Sequence, residues 1–197
     1  MAKRKRRIYP LALTLIGTSL IGLVAALALT LEKLAKLANP DTLATCDFSL
    51  VIQCGKNLDS WQGSILGFPN PIIGLVLLPL VLATGVGLFA RAYYAKWYWR
   101  TFHIGVTLAF GFVLWLIYQS VYVLGTLCPW CMVTWSAVIP MFWATTFWVF
   151  KRKVWTYNKT AIMLGKRLYL WTPTFTVATY VIIAVLAQLQ LDWISYL

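Results

Sequence analysis

The sequence predicts an all-α integral membrane protein, and three observations carry that prediction. Of its 197 residues, 61% are hydrophobic and only 11% charged, far from the roughly 25% charged residues of an average soluble domain. Five apolar stretches contain no Asp, Glu, Lys or Arg, and each approaches the roughly 20 residues that cross a hydrocarbon core. The charges between these stretches sort by side. No charged or Gly/Ser-rich linker divides the chain, so residues 1–197 read as one membrane domain.

The stretches are residues 10–31, 71–90, 101–124, 132–150 and 174–191. Backbone groups in lipid must bond within their own segment, and the alternating pattern of a membrane barrel is missing, so all five are read as helices. A cleaved signal peptide is the alternative for the first, given its basic start and Ala26-Leu27-Ala28, but its 22 apolar residues exceed the usual signal core of roughly 7 to 15. Residues 3–7, Arg91, Lys96, Arg100, Lys151, Arg152, Lys153, Lys159, Lys166 and Arg167 place fourteen of the seventeen cations on one side. The positive-inside rule assigns that side to the cytoplasm. Glu32, Asp41, Asp47, Asp59 and Asp192 fall on the other. The expected setting is the inner (plasma) membrane, with a cytoplasmic N-terminus and an extracytoplasmic C-terminus.

The net charge of +12 does not mark a nucleic-acid binder, because the basic residues lie in short runs between spans rather than on a soluble face. The cluster Tyr93, Tyr94, Trp97, Tyr98 and Trp99 reads as an interfacial belt. His103, near the cytoplasmic end of the third span, reads as an interfacial side chain remote from any chemistry.

Residues 32–69 form the one substantial extracytoplasmic loop. The first helix should continue into water through Glu32 to Leu37 and stop at Asn39-Pro40-Asp41, since the residue before proline disfavours helix. Asp59 or Ser60 could cap a short helix bearing Trp61, Ile65 and Leu66, an apolar cover for the membrane surface. Gly67-Phe68-Pro69-Asn70-Pro71 turns the chain into the second span.

All four cysteines fall on the extracytoplasmic side, where disulfides persist. Cys46 and Cys54 lie in the loop, separated by seven residues, and Cys128-Pro129-Trp130-Cys131 opens the fourth span. With Cys128 as cap, Pro129 takes the first helical position and Cys131 the first turn, where unpaired amides and the helix dipole favour a nucleophilic thiolate. Two pairs make a relay, because thiol–disulfide exchange can hand electrons from a soluble thiol protein to a pair near lipid. Static disulfides pinning the loop, a four-cysteine zinc site and inert buried thiols are the alternatives. Zinc sites favour cysteines two to four apart, and only one pair has that spacing. Inert thiols would not be confined to one aqueous face. The spans carry no charged residue, which disfavours an ion pathway and suits an apolar ligand.

The arrangement Cys46-x7-Cys54, Asp59-Ser60-Trp61, Phe68-Pro69-Asn70-Pro71-x-x-Gly74 and Cys128-Pro129-Trp130-Cys131 resembles the vitamin K epoxide reductase family, particularly its bacterial members, over about residues 10–150. The resemblance implies a four-helix transmembrane bundle around a quinone pocket, capped by the outer loop, with the fifth helix packed outside. It implies oxidation of a thioredoxin-like protein acting in trans and reduction of a menaquinone or ubiquinone, in support of disulfide bond formation. Reduction of vitamin K epoxide is the alternative activity. Cys131 would then face the quinone with Cys128 as its disulfide partner, Cys54 would exchange with Cys128, and Cys46 would meet the outside partner. Asn70 corresponds to an asparagine that hydrogen-bonds a quinone carbonyl, and Ser60 to a serine near the loop cysteines. Trp135 stands where animal members carry a tyrosine that donates to the quinone, and its indole N–H can also donate.

Overall fold

The computed structural model describes residues 9–39, 44–192 and 194, and among them the regular structure is helical. Helix α1 spans Tyr9–Ala38, α2 Gly55–Asp59, α3 Pro71–Phe89, α4 Lys96–Tyr118, α5 Pro129–Lys151, α6 Lys159–Leu170 and α7 Thr172–Leu191. A 3-10 turn, Trp61–Ser64, follows α2, and a π-helical turn, Gln119–Leu124, prolongs α4. Five helices (α1, α3, α4 with its π turn, α5 and α7) are long and apolar enough to cross a membrane. Each matches one predicted span, the second ending at Phe89, one residue short of the expected 90.

Helix α5 is the hub, packing against α1, α4, α6 and α7, while α3 packs against α1. The α1–α3 contact is closed by small residues. A Cβ on Gly22 would come within 2.9 Å of Leu78, one on Gly74 within 3.0 Å of Ala26, and one on Gly85 within 3.1 Å of the Ile16 backbone nitrogen. Where lipid replaces water as solvent, such close backbone approach supplies the packing that holds helices together.

Two apolar cores divide the bundle along its length. The one at the basic end joins Leu11, Leu15, Leu78, Trp99, Met141 and Trp148. The other joins Val113, Val121, Leu127, Trp135, Ile139 and Ala187. Trp99 is therefore core, 7% exposed, and not part of the belt to which its neighbours Tyr93 and Trp97 belong at 82% and 69%. His103 ties α4 to the chain beyond it, bonding Thr146 Oγ1 at 3.1 Å through Nε2 and accepting the Trp155 indole N–H at 3.1 Å on Nδ1.

Two elements differ from expectation. The chain between the fourth and fifth spans is not a plain loop, because Asn158 caps α6 by accepting the Thr160 amide, and Gly165 lets α6 settle onto the end of α5. In the outer segment, the capped stretch is only one 3-10 turn. The helix lies before it, as α2. The expected stop of α1 falls one residue before Asn39, while Pro40 and Asp41 lie outside the described residues.

Candidate functional site

The outer segment is a cap built from local polar contacts and docked onto the α4–α5 connection. Glu32, on the protruding end of α1, accepts the Thr45 amide at 3.2 Å and bonds the Thr45 hydroxyl. Lys33 donates to the Leu58 carbonyl at 2.7 Å and pairs with Asp59 at 3.3 Å, and Lys36 pairs with the same carboxylate at 2.5 Å. Asp47 Oδ1 accepts the amides of Cys54, at 2.7 Å, and Gly55, at 2.9 Å, and so caps α2. An N-terminal carboxylate of this kind satisfies amides that no helical carbonyl can reach.

The cap reaches the bundle through backbone. Leu127 donates to the Val51 carbonyl at 2.7 Å and Gln53 to the Leu127 carbonyl at 3.0 Å, forming an isolated parallel bridge between Ile52 and Leu127. Asn57 Nδ2 donates to Thr126 Oγ1 at 2.9 Å. Thr126 is held in turn by Ser120, whose hydroxyl donates to the Thr126 carbonyl. These contacts bring the loop alongside the residue that precedes Cys128.

Cys46 and Cys54 are joined in a disulfide, whereas Cys128 and Cys131 are free thiols. Cys46, Cys54 and Cys128 are buried, at 3%, 0% and 0% exposure, in one apolar cluster with Leu29, Ala44 and Leu58; Trp130 and Cys131 pack against it. Cys131 also packs against the core that contains Trp135. The structure therefore gathers all four sulfurs at one end of the bundle, at the mouth of α5.

The start of α5 follows the expected pattern with one difference. Cys128 is the cap and Pro129 the first helical residue. The Cys131 amide, however, points to the Cys128 sulfur at 3.3 Å. The first-turn amide thus serves the Cys128 sulfur. The loop pair is equally unlike a mobile surface disulfide. Exchange with an outside thiol requires the cap to part.

Asn70 is 9% exposed and closes the cap: its Nδ2 donates to the Gln62 carbonyl at 2.6 Å, its Oδ1 accepts the Ile65 amide at 3.2 Å, and its own amide donates to the Gly63 carbonyl. One of its two side-chain N–H groups is committed by that bond, leaving the second for another acceptor. Ser60 caps the 3-10 turn, donating to the Asn57 carbonyl at 2.7 Å and accepting the Gly63 amide at 3.3 Å. Trp135 lies one turn into α5 beyond Cys131, 5% exposed. Ser60 and Asn70 therefore sit together in the cap, and Trp135 sits on the helix that carries the thiols.

Sequence reasoning missed Asp47, Asn57 and Gln62. Gln62 lies within the expected apolar cover around Trp61, Ile65 and Leu66. It is 4% exposed and donates through Nε2 to Gln119 Oε1 at 3.2 Å. Asp47 and Asn57 are polar loop residues of a kind that usually faces water, and nothing in sequence sets them apart.

The model of the vitamin K epoxide reductase family matches residues 13–146, more than half of the chain. The match runs from α1 into α5 and leaves α6 and α7 beyond it. Among curated proteins none matches the chain.

Proposed function

We propose, from the premise that this chain belongs to the vitamin K epoxide reductase family, that it is a quinone-dependent thiol oxidase supporting disulfide formation. A family member is a membrane oxidoreductase of thiols and quinones. The finer reading takes electrons from a thioredoxin-like protein in trans, on the face opposite the basic ends of the helices, and delivers them to a menaquinone or ubiquinone in the bilayer. The observation that carries it is the gathering of one disulfide and two thiols in a single cluster at the mouth of α5.

Each step conserves electrons. A dithiol of the partner reduces the Cys46–Cys54 disulfide through a mixed disulfide on Cys46 and leaves as a disulfide itself. Cys54 then attacks Cys128 of an oxidised Cys128–Cys131 pair, and Cys46 resolves the mixed disulfide, restoring Cys46–Cys54 and leaving Cys128 and Cys131 as thiols. The Cys46–Cys54 disulfide and the free Cys128 and Cys131 support this order of steps. Oxidation of those two thiols sends two electrons and two protons to the quinone, which becomes a quinol.

The residues fit such an acceptor. The spans are apolar, and Asn70 retains a side-chain N–H for one carbonyl oxygen. The Trp135 indole N–H is the second donor of this reading, while the single O–H of Ser60, the third residue expected there, is given to the Asn57 carbonyl. Hydrogen bonds to the oxygens stabilise the charge that develops on them.

The test is quinol formation by purified protein supplied with a short-chain quinone and a reduced thioredoxin-like protein. Wild type turns over, Cys131→Ala is inactive with every reductant, and Cys46→Ala fails with the protein partner but runs with a small dithiol. An inactive wild type, or full turnover by Cys131→Ala, removes the quinone assignment and leaves a membrane protein whose loop is pinned by a disulfide.

A further inference from the structure

Among the described residues, Gln62 Oε1, Thr145 Oγ1 and Trp148 Nε1 are buried without a hydrogen-bond partner, and of these the first belongs to the cap. Leaving a buried carbonyl unmet is costly, so native folds rarely keep one without a reason. Gln62 is also well fixed. Its backbone carbonyl takes the Asn70 side-chain N–H, and its Nε2 donates to Gln119 Oε1 across the seam between the cap and α4.

The partner residue is the first of the π-helical turn that prolongs α4, and such turns recur where helices build functional sites. Beside the glutamine pair, across the same seam, Trp61 of the cap lies 6.1 Å from Trp115 of α4. The apolar surroundings and the single unmet polar position suit a flat, mostly apolar ligand with an oxygen at its edge.

We infer that Gln62, with Gln119 behind it, is a second hydrogen-bonding station for the quinone and its product, an inference that rests on the quinone reading above. The chemistry of the pair explains why it would be a glutamine pair. A quinone oxygen only accepts a hydrogen bond, whereas the quinol hydroxyl that replaces it also donates. A carboxamide has nearly the same shape after half a turn about its last bond, with N–H and C=O exchanged. In the arrangement seen here Gln62 offers an acceptor to a quinol hydroxyl. If both amides turn together, Gln119 becomes the donor to Gln62 Oε1 and the free position becomes an N–H, a donor to a quinone oxygen. The Gln62–Gln119 bond is preserved in either state. The reaction itself is balanced as before, with both electrons and both protons coming from the thiols of Cys128 and Cys131.

The experiment titrates the full-length protein in detergent with a short-chain ubiquinone, and separately under anaerobic conditions with its quinol, reading tryptophan quenching without an added reductant, so that at most the one equivalent of quinone that Cys128 and Cys131 can reduce is turned over. Gln62→Leu and the near-isosteric Gln62→Met are expected to weaken both ligands about tenfold, the size expected for one lost hydrogen bond in an apolar site. Gln119→Leu should have a like effect, with the KM for quinone rising and turnover at saturation little changed. If Gln62→Leu does not fold, Gln62→Met decides. Wild type that binds neither ligand removes the quinone reading and this inference together. Wild-type affinity retained in both Gln62 variants, whatever their melting temperatures, overturns the inference alone and leaves the quinone reading intact.

Discussion

At Asp47 a single carboxylate accepts two amides, those of Cys54 and Gly55, and so fixes one arm of the disulfide loop against the other. A cap of this kind contributes about 1 kcal/mol. Asp47→Ala should therefore raise hydrogen exchange at the Cys54 and Gly55 amides about fivefold, with exchange in the helical core unchanged. Asp59 behaves differently. Partial burial pushes its carboxyl up, but hydrogen bonds and charge from Lys36 and Lys33 outweigh that and hold it below its ordinary 3.8. A depressed acid lends its stability above the unfolded value and loses it as pH falls through the folded one. Because the carboxylate is about half exposed, the contribution is small. Acidification below pH 3.8 should lower exchange protection across residues 55–64 in wild type and much less in Asp59→Asn, so that the two proteins differ near neutrality and converge in acid. At this scale the four cysteines stood out because their type and spacing are unusual, and the structure brings them into one cluster. Gln62 and Asn57 did not, since Gln119 and Thr126, the partners that give them meaning, lie 57 and 69 positions along the chain.

Among the elements, the five spans were readable to within a few residues at most ends because lipid imposes one length and one composition. The exceptions have local causes. Helix α6 hides in a basic stretch whose buried residues are only Ile162 and Gly165, too few to set a period. The cap breaks into α2 and a 3-10 turn because Gly63 must pass close to α2: a Cβ there would sit 2.5 Å from the Asn57 carbonyl oxygen. Gly63→Ala should thus loosen the cap while the spans persist, seen as faster labelling of Cys128 by a small maleimide with unchanged helical circular dichroism. The turn at Phe48 to Ile52, in which Phe48 and Ser49 both donate to the Ile52 carbonyl, leaves Phe48 73% and Leu50 82% exposed beside Cys46. Exposed apolar residues on a loop are candidates for partner contact. Phe48→Ser with Leu50→Ser should lower turnover with a protein dithiol several-fold and leave turnover with a small dithiol alone. Equal loss with both reductants would show that the pair serves the cap and not the partner.

For the molecule as a whole, the sorting of charge predicts orientation. A membrane-impermeant thiol reagent applied to intact spheroplasts after reduction should reach the cap cysteines, and an added cysteine at Lys159 should react only after lysis. The reverse pattern would invert the topology. What composition could not reveal is how α1 and α3 meet, because the glycines at 22, 74 and 85 carry meaning only once their opposite surfaces are known. Gly85→Leu should unseat α3 and lower the melting temperature in detergent far more than Gly105→Leu, where a Cβ meets nothing within 4 Å. The clustering of the four sulfurs has a kinetic corollary. Exchange between groups already held in one cluster is a first-order event whose rate ignores how sparsely the protein populates the bilayer, whereas capture of the donor is second-order. Flux should therefore rise with donor concentration and then flatten at a ceiling set by the internal hand-off. That ceiling should be the same for chemically different donors that share nothing but a dithiol.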